Sequence, residues 1–134
     1  MPRRTGNRGI ELPPPGTDEL ALFSKGVNEF NAREFFQCHE TLEKYWTAQS
    51  GEERELTQGI IQIAVGYHHL FRDNQKGALK LLKRGLERIS GVAPGRLGID
   101  TTLLAKNVAR SIADIEKGKS PGEIELPTIV VISN

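Results

Sequence analysis

His39 and Glu43 stand four residues apart in the run Phe35-Phe36-Gln37-Cys38-His39-Glu40-Thr41-Leu42-Glu43. On a helix, at about 100° per residue, they lie roughly 40° apart on one face, with Phe35, Phe36 and Trp46 on the same side. An imidazole nitrogen and a carboxylate oxygen held this way are donors that suit zinc, manganese or iron. Downstream, Gln58, Gln62 and His69 share one helix face with Val65 between them, while His68 projects about 90° away. His69 or Gln62 would supply the further ligand, leaving one position for a water that the ion would activate for hydrolysis. Glu40 lies about 100° round the helix from His39, and His39-Glu40-x-x-Glu43 falls short of the zinc-binding His-Glu-x-x-His pattern by its second histidine.

The same residues admit a reading without an ion. Two helices joined by a short turn near Ser50-Gly51 pack antiparallel, which sets Gln62 opposite His39 and Gln58 opposite Glu43. Glu43 would then accept from Gln58 and His39 would pair with Gln62, a buried hydrogen-bonded seam that fixes helix register. A histidine buried beside a carboxylate has a perturbed pKa in either case, so both readings stand on the residues alone.

The elements that must position these groups are helices. Thr17-Asp18 offers an N-cap, and Leu20, Phe23, Val27 and Phe30 recur at helical spacing up to Asn31. A second helix carries Phe35 to Trp46 and fades at Gln49-Ser50-Gly51. The third, from Glu52 through Leu56, Ile60, Ile63, Tyr67 and Phe71, is apolar on nearly every side and is expected at the centre. Asp73-Asn74 closes it. Ala78, Leu79, Leu82, Leu86 and Ile89 pattern a fourth helix, and residues 90–98, rich in glycine, form a loop. Asp100 caps a fifth helix containing Leu104, Val108, Ile112 and Ile115 that ends near Gly118. Three arginines, three glycines and Pro13-Pro14-Pro15 make residues 1–16 a flexible N-terminal arm. Residues 17–118 are the helical domain, and 119–134 an extended tail packed on the bundle with no partner strand in view. The fold class is all-α, a compact bundle of about five helices.

Composition narrows the partners. With 18 Lys plus Arg against 17 Asp plus Glu, the net charge of +1 argues against a protein devoted to nucleic acid. Lys76, Lys80, Lys83, Arg84 and Arg88 do line one side of the fourth helix, and contact with RNA or DNA there is a third reading behind a solvated face. Cys38 is the only cysteine, so no internal disulfide forms, and a cytoplasmic location is expected. It reads as a small packing residue, since no His and acid set shares its face. No run of roughly 18 to 20 apolar residues is present, so no membrane span is expected. Trp46, Phe35 and Phe36 read as packing aromatics, His68 as a core or boundary histidine, and Gly77-Ala78 and Gly85 as sites of close helix contact.

The run from Phe35 to Trp46, followed by Gln58-Gly59-Ile60-Ile61-Gln62-Ile63-Ala64, His68-His69 and Asn74-x-x-Gly77-Ala78, resembles the domain of unknown function family numbered 309 over roughly residues 20 to 90. The resemblance implies an all-α bundle without an established activity, some of whose relatives are labelled predicted metal-dependent hydrolases. Its polar motif positions fall on His39, Glu40, Glu43, Trp46, Gln58, Gln62 and one of His68 or His69. The leading expectation is thus a metal-dependent hydrolase in which His39, Glu43 and His69 hold a divalent ion and Glu40 is the general base. The alternative is a non-catalytic helical module for a small ligand or a partner protein, with Gln58, Gln62, Trp46 and His68 in a structural polar seam.

Overall fold

In the computed structural model, which describes residues 17–132, five helices form a bundle: α1 (Thr17–Asn31), α2 (Phe35–Thr47), α3 (Gly51–Leu70), α4 (Gln75–Ser90) and α5 (Thr101–Glu116). Each buries an apolar stripe at three- and four-residue spacing. Phe35, Cys38, Leu42 and Tyr45 do so on α2, Ala78, Leu82 and Ile89 on α4, and Leu104, Val108, Ile112 and Ile115 on α5. The arm read over residues 1–16 and the side chains of the Thr17-Asp18 cap lie outside the described residues.

α3 is central, as its apolar circumference requires. It packs on α2 on one side and α4 on the other, while Tyr67 reaches Ser111 of α5 through a 2.8 Å hydrogen bond. The contact with α4 is close because glycines allow it. A Cβ added to Gly85 would sit 2.6 Å from Ile63 and 2.7 Å from the Gly59 carbonyl oxygen.

Asn74 does not end α3. Its side chain accepts from the Gly77 N–H at 3.0 Å and caps α4, while Asp73, at φ 60°, is the left-handed residue that stops α3. Arg33, at φ 68°, does the same for α1, where the Glu34 N–H donates back to the Glu29 carbonyl at 2.8 Å. Asp100 caps α5 as its position implies, accepting from the Leu103 N–H at 2.9 Å.

Beyond α5 the chain runs extended over the bundle, burying Ile124 and Ile129. Asn31 both donates to and accepts from the Ile129 backbone, at 3.0 and 2.8 Å, and Arg33 donates to the Pro127 carbonyl at 2.6 Å. No strand forms among the described residues, and the tail's one ladder contact is an isolated antiparallel bridge between Val131 and Ile99. Two backbone bonds make that bridge, so it carries no strand-length sequence signal. No helix among the described residues is long and apolar enough to cross a membrane.

Candidate functional site

α2 and α3 are antiparallel, with two contacts fixing how they face. Near their shared turn, the Arg54 guanidinium lies 3.9 Å from the Trp46 ring centroid. At the other end, the Phe36 ring packs at a tilt against His68, with centroids 5.4 Å apart, and against His39 at 5.5 Å. The face of α3 turned to α2 therefore carries Arg54 and His68, about one residue's rotation from the face expected to hold Gln62 and His69.

That rotation redistributes the expected seam. His39 Nε2 does lie 3.4 Å from Glu43 Oε2, but the two side chains are 25% and 58% exposed, so the pair sits at the surface and not in the core. Gln62 turns to α4, where its Oε1 accepts from Arg88 Nε at 3.1 Å, and Arg88 also pairs with Glu55 at 2.7 Å. His69 Nδ1 lies 3.5 Å from Asn74 Nδ2 in the α3–α4 turn. Gln58 is half-buried, and Glu40 is exposed in a shallow polar depression with Glu43, Lys44 and Thr47. The buried seam of four mutually satisfied groups is thus corrected to a half-exposed His39–Glu43 pair, with Gln62 engaged on α4 instead.

The expected metal ligands fare similarly as a set. Among the described residues no three His, Cys, Asp or Glu side chains converge as a metal-binding group. His39 Nδ1 is buried without a hydrogen-bond partner. A ligating imidazole ordinarily donates its second ring N–H to a carboxylate or carbonyl, and His39 lacks that support. His39 and Glu43 approach each other on α2, and His69 does not join them in a group of three.

What the arrangement does build is an apolar groove of about 630 Å³, lined chiefly by Phe36, His68, Phe71 and Leu126, with Arg33 and Glu34 at its edge. Phe36 is 47% exposed and Phe71 49% exposed. Phe35 turns the other way, into the core against Phe30 and Tyr67 at 5.3 and 5.4 Å. Adjacent residues on a helix differ by about 100°, so a Phe-Phe pair on a two-sided helix must send one ring outward; that was the signal for Phe36. Phe71 follows the last residue of α3 and emerges as the chain turns at Asp73. Leu126 reaches the groove from a distant stretch of chain and left no local signal. Burial pushes the His68 imidazole below its ordinary pKa, and Arg72, His69 and His39 nearby add to the effect.

Residues 23–81 match the family described as "Domain of unknown function (DUF309)". Over 103 residues the chain is 33% identical to the "Uncharacterized protein YpuF" of Bacillus subtilis (strain 168). That alignment covers 74% of this chain and 59% of the relative, so the chain spans about three fifths of the length of the curated protein it matches.

Proposed function

Taking as premise that residues 23–81 match the DUF309 family, we propose that the chain is a non-catalytic helical module that receives an extended apolar segment in the groove beside α2 and α3. The observation that carries this reading is the pair Phe36 and Phe71, two large rings half in solvent that line one concave surface together with His68. Exposed apolar surface that is concave and framed by polar groups is the form that docking sites take. Arg33 and Asp73, both held in the left-handed region where non-glycine residues are uncommon, end the helices on either side of it. The polar groups at its rim, His68, Arg33 and Glu34, orient a ligand; none forms a nucleophile and base pair.

The metal-dependent hydrolase reading keeps one supporting observation, the His39–Glu43 contact at 3.4 Å beside open solvent. One experiment separates the two. Fluorescent peptides with apolar residues at alternate positions are titrated with the protein and with Phe71→Asp, alongside elemental analysis of protein purified without added metal. Saturable binding lost in Phe71→Asp supports the docking module. No saturable binding, together with a stoichiometric ion that His39→Ala removes, overturns it in favour of the hydrolase.

A further inference from the structure

We infer that the end of the C-terminal segment is a docking edge for a second copy of this chain, the two copies pairing antiparallel through Val130-Val131-Ile132 with Val131 opposite its own counterpart. This surface is separate from the groove beside α2 and α3 and does not depend on it.

Backbone geometry supplies the edge. On one side the segment is fastened to the loop before α5, where the Asp100 N–H donates to the Val130 carbonyl at 2.8 Å and the Ile132 N–H donates to the Gly98 carbonyl at 2.7 Å. In an extended chain the backbone groups of successive residues point to opposite sides, so the N–H and C=O of Val131 point away from that loop. Two residues earlier on the same outer side, the Asn31 carboxamide satisfies both backbone groups of Ile129, at 2.8 and 3.0 Å. Past Asn31 the pairing stops: among the described residues, none bonds to the N–H or C=O of Val131. An open N–H and C=O on an extended edge are a template for another strand.

Side chains make the edge adhesive. Val130, Val131 and Ile132 are 41%, 68% and 43% exposed, three consecutive β-branched apolar residues. No charged residue or proline, the usual protection of an edge, lies among residues 128–132.

Symmetry names the occupant. In an antiparallel pair, positions where two residues exchange both bonds alternate with positions where they exchange none. Val131 is an exchanging position on its open side, so a two-fold axis there lets each Val131 donate to the other's carbonyl, an isologous contact. Val130 then faces the copy's Ile132 and Ile132 the copy's Val130, both favourable β-branched cross-strand pairs. Charged groups beside the segment are engaged within their own chain. Asp100 accepts from the Leu103 N–H at 2.9 Å, Arg110 pairs with Glu125 at 2.9 Å, and Arg96 pairs with Glu52 and Glu53. Because Asn31 occupies the edge at Ile129, the ladder is confined to three residues on each copy. An interface this small forms a concentration-dependent dimer and not an obligate one.

The test combines disulfide capture with sedimentation of the full chain. The Cα atoms of an exchanging pair lie about 5.5 Å apart, within the span of a disulfide. Val131→Cys, oxidised by glutathione disulfide, should therefore form a covalent dimer about tenfold faster than Glu125→Cys, an exposed control on the same segment. Cys38 is fully buried and takes no part. In sedimentation, the mass of the unmodified chain should rise with concentration towards that of a dimer. Val131→Thr should keep this behaviour, whereas Val131→Lys, which sets two ammonium groups on the axis, should stay monomeric with an unchanged urea midpoint. A chain that stays monomeric up to its solubility limit, or equal capture rates for the two cysteines, overturns the inference. A dimer that survives Val131→Lys also overturns it, in favour of association through another face.

Discussion

Phe36 and His68 face each other across the α2–α3 interface with ring centroids 5.4 Å apart and planes inclined at 44°. The contact joins the first turn of α2 to the last turn of α3 and turns an imidazole, not a carboxamide, towards His39. It also gathers several positive or protonatable groups, since Arg72, His69 and His39 all act on His68.

Protonation of His68 is opposed in the folded chain, so its native pKa lies below that of the unfolded chain. Stability from this group is therefore fully present above the ordinary imidazole range and is lost as the pH falls through the lowered native value. An NMR titration should place the His68 midpoint below those of free imidazole side chains, and Arg72→Ala should raise it. A midpoint that Arg72→Ala leaves unmoved would remove Arg72 from the cause.

Adjacent phenylalanines should behave oppositely. Phe35→Ala empties a core position against Phe30 and Tyr67 and should cost about 3–5 kcal/mol in urea unfolding. Phe36→Ser, at a half-exposed ring, should cost less than about 1 kcal/mol and weaken binding of apolar peptides. Equal destabilisation by the two would contradict the outward placement of Phe36.

Gly85→Ala tests the α3–α4 contact. Alanine gains about 1 kcal/mol in helix propensity over glycine. Its Cβ, however, would meet the Gly59 carbonyl oxygen at 2.7 Å, backbone that cannot rotate away. Overpacking of about 1–3 kcal/mol should win, lowering the urea midpoint. A raised midpoint would show that the two helices separate freely.

Cys38 is fully buried beside Glu29, and burial first, then that carboxylate, pushes its thiol up to about 12 from the usual 9.0. Thiol-specific reagents should leave it untouched in the native chain up to about pH 10 and label it once denaturant unfolds the bundle. Rapid native labelling at neutral pH would contradict both the burial and the shift.

The helices, their order, the central place of α3 and the antiparallel pairing of α2 with α3 were all legible in the residues. Apolar periodicity, Asp100 as a cap and the short Ser50-Gly51 turn are local signals, and each acts over a few residues. The i, i+4 approach of His39 and Glu43 was legible for the same reason, because helix geometry alone sets it.

Which face of α3 met which neighbour was decided by packing. Gly59, Gly66 and Gly85 let α4 approach α3 closely, and that approach rotated Gln62 to Arg88 and brought His68 to α2. A rotation of one residue step exchanges the members of a polar seam while leaving every helix boundary unchanged. The groove lay further out of reach of local reading, since Leu126 joins Phe36 and Phe71 only after the C-terminal segment is pinned by Asn31 and Arg33. Sequence by itself determined the helices and the spacing of chemistry along each; tertiary packing alone decided which side chains share a surface, because that depends on interhelical distances summed over contacts far apart in the chain.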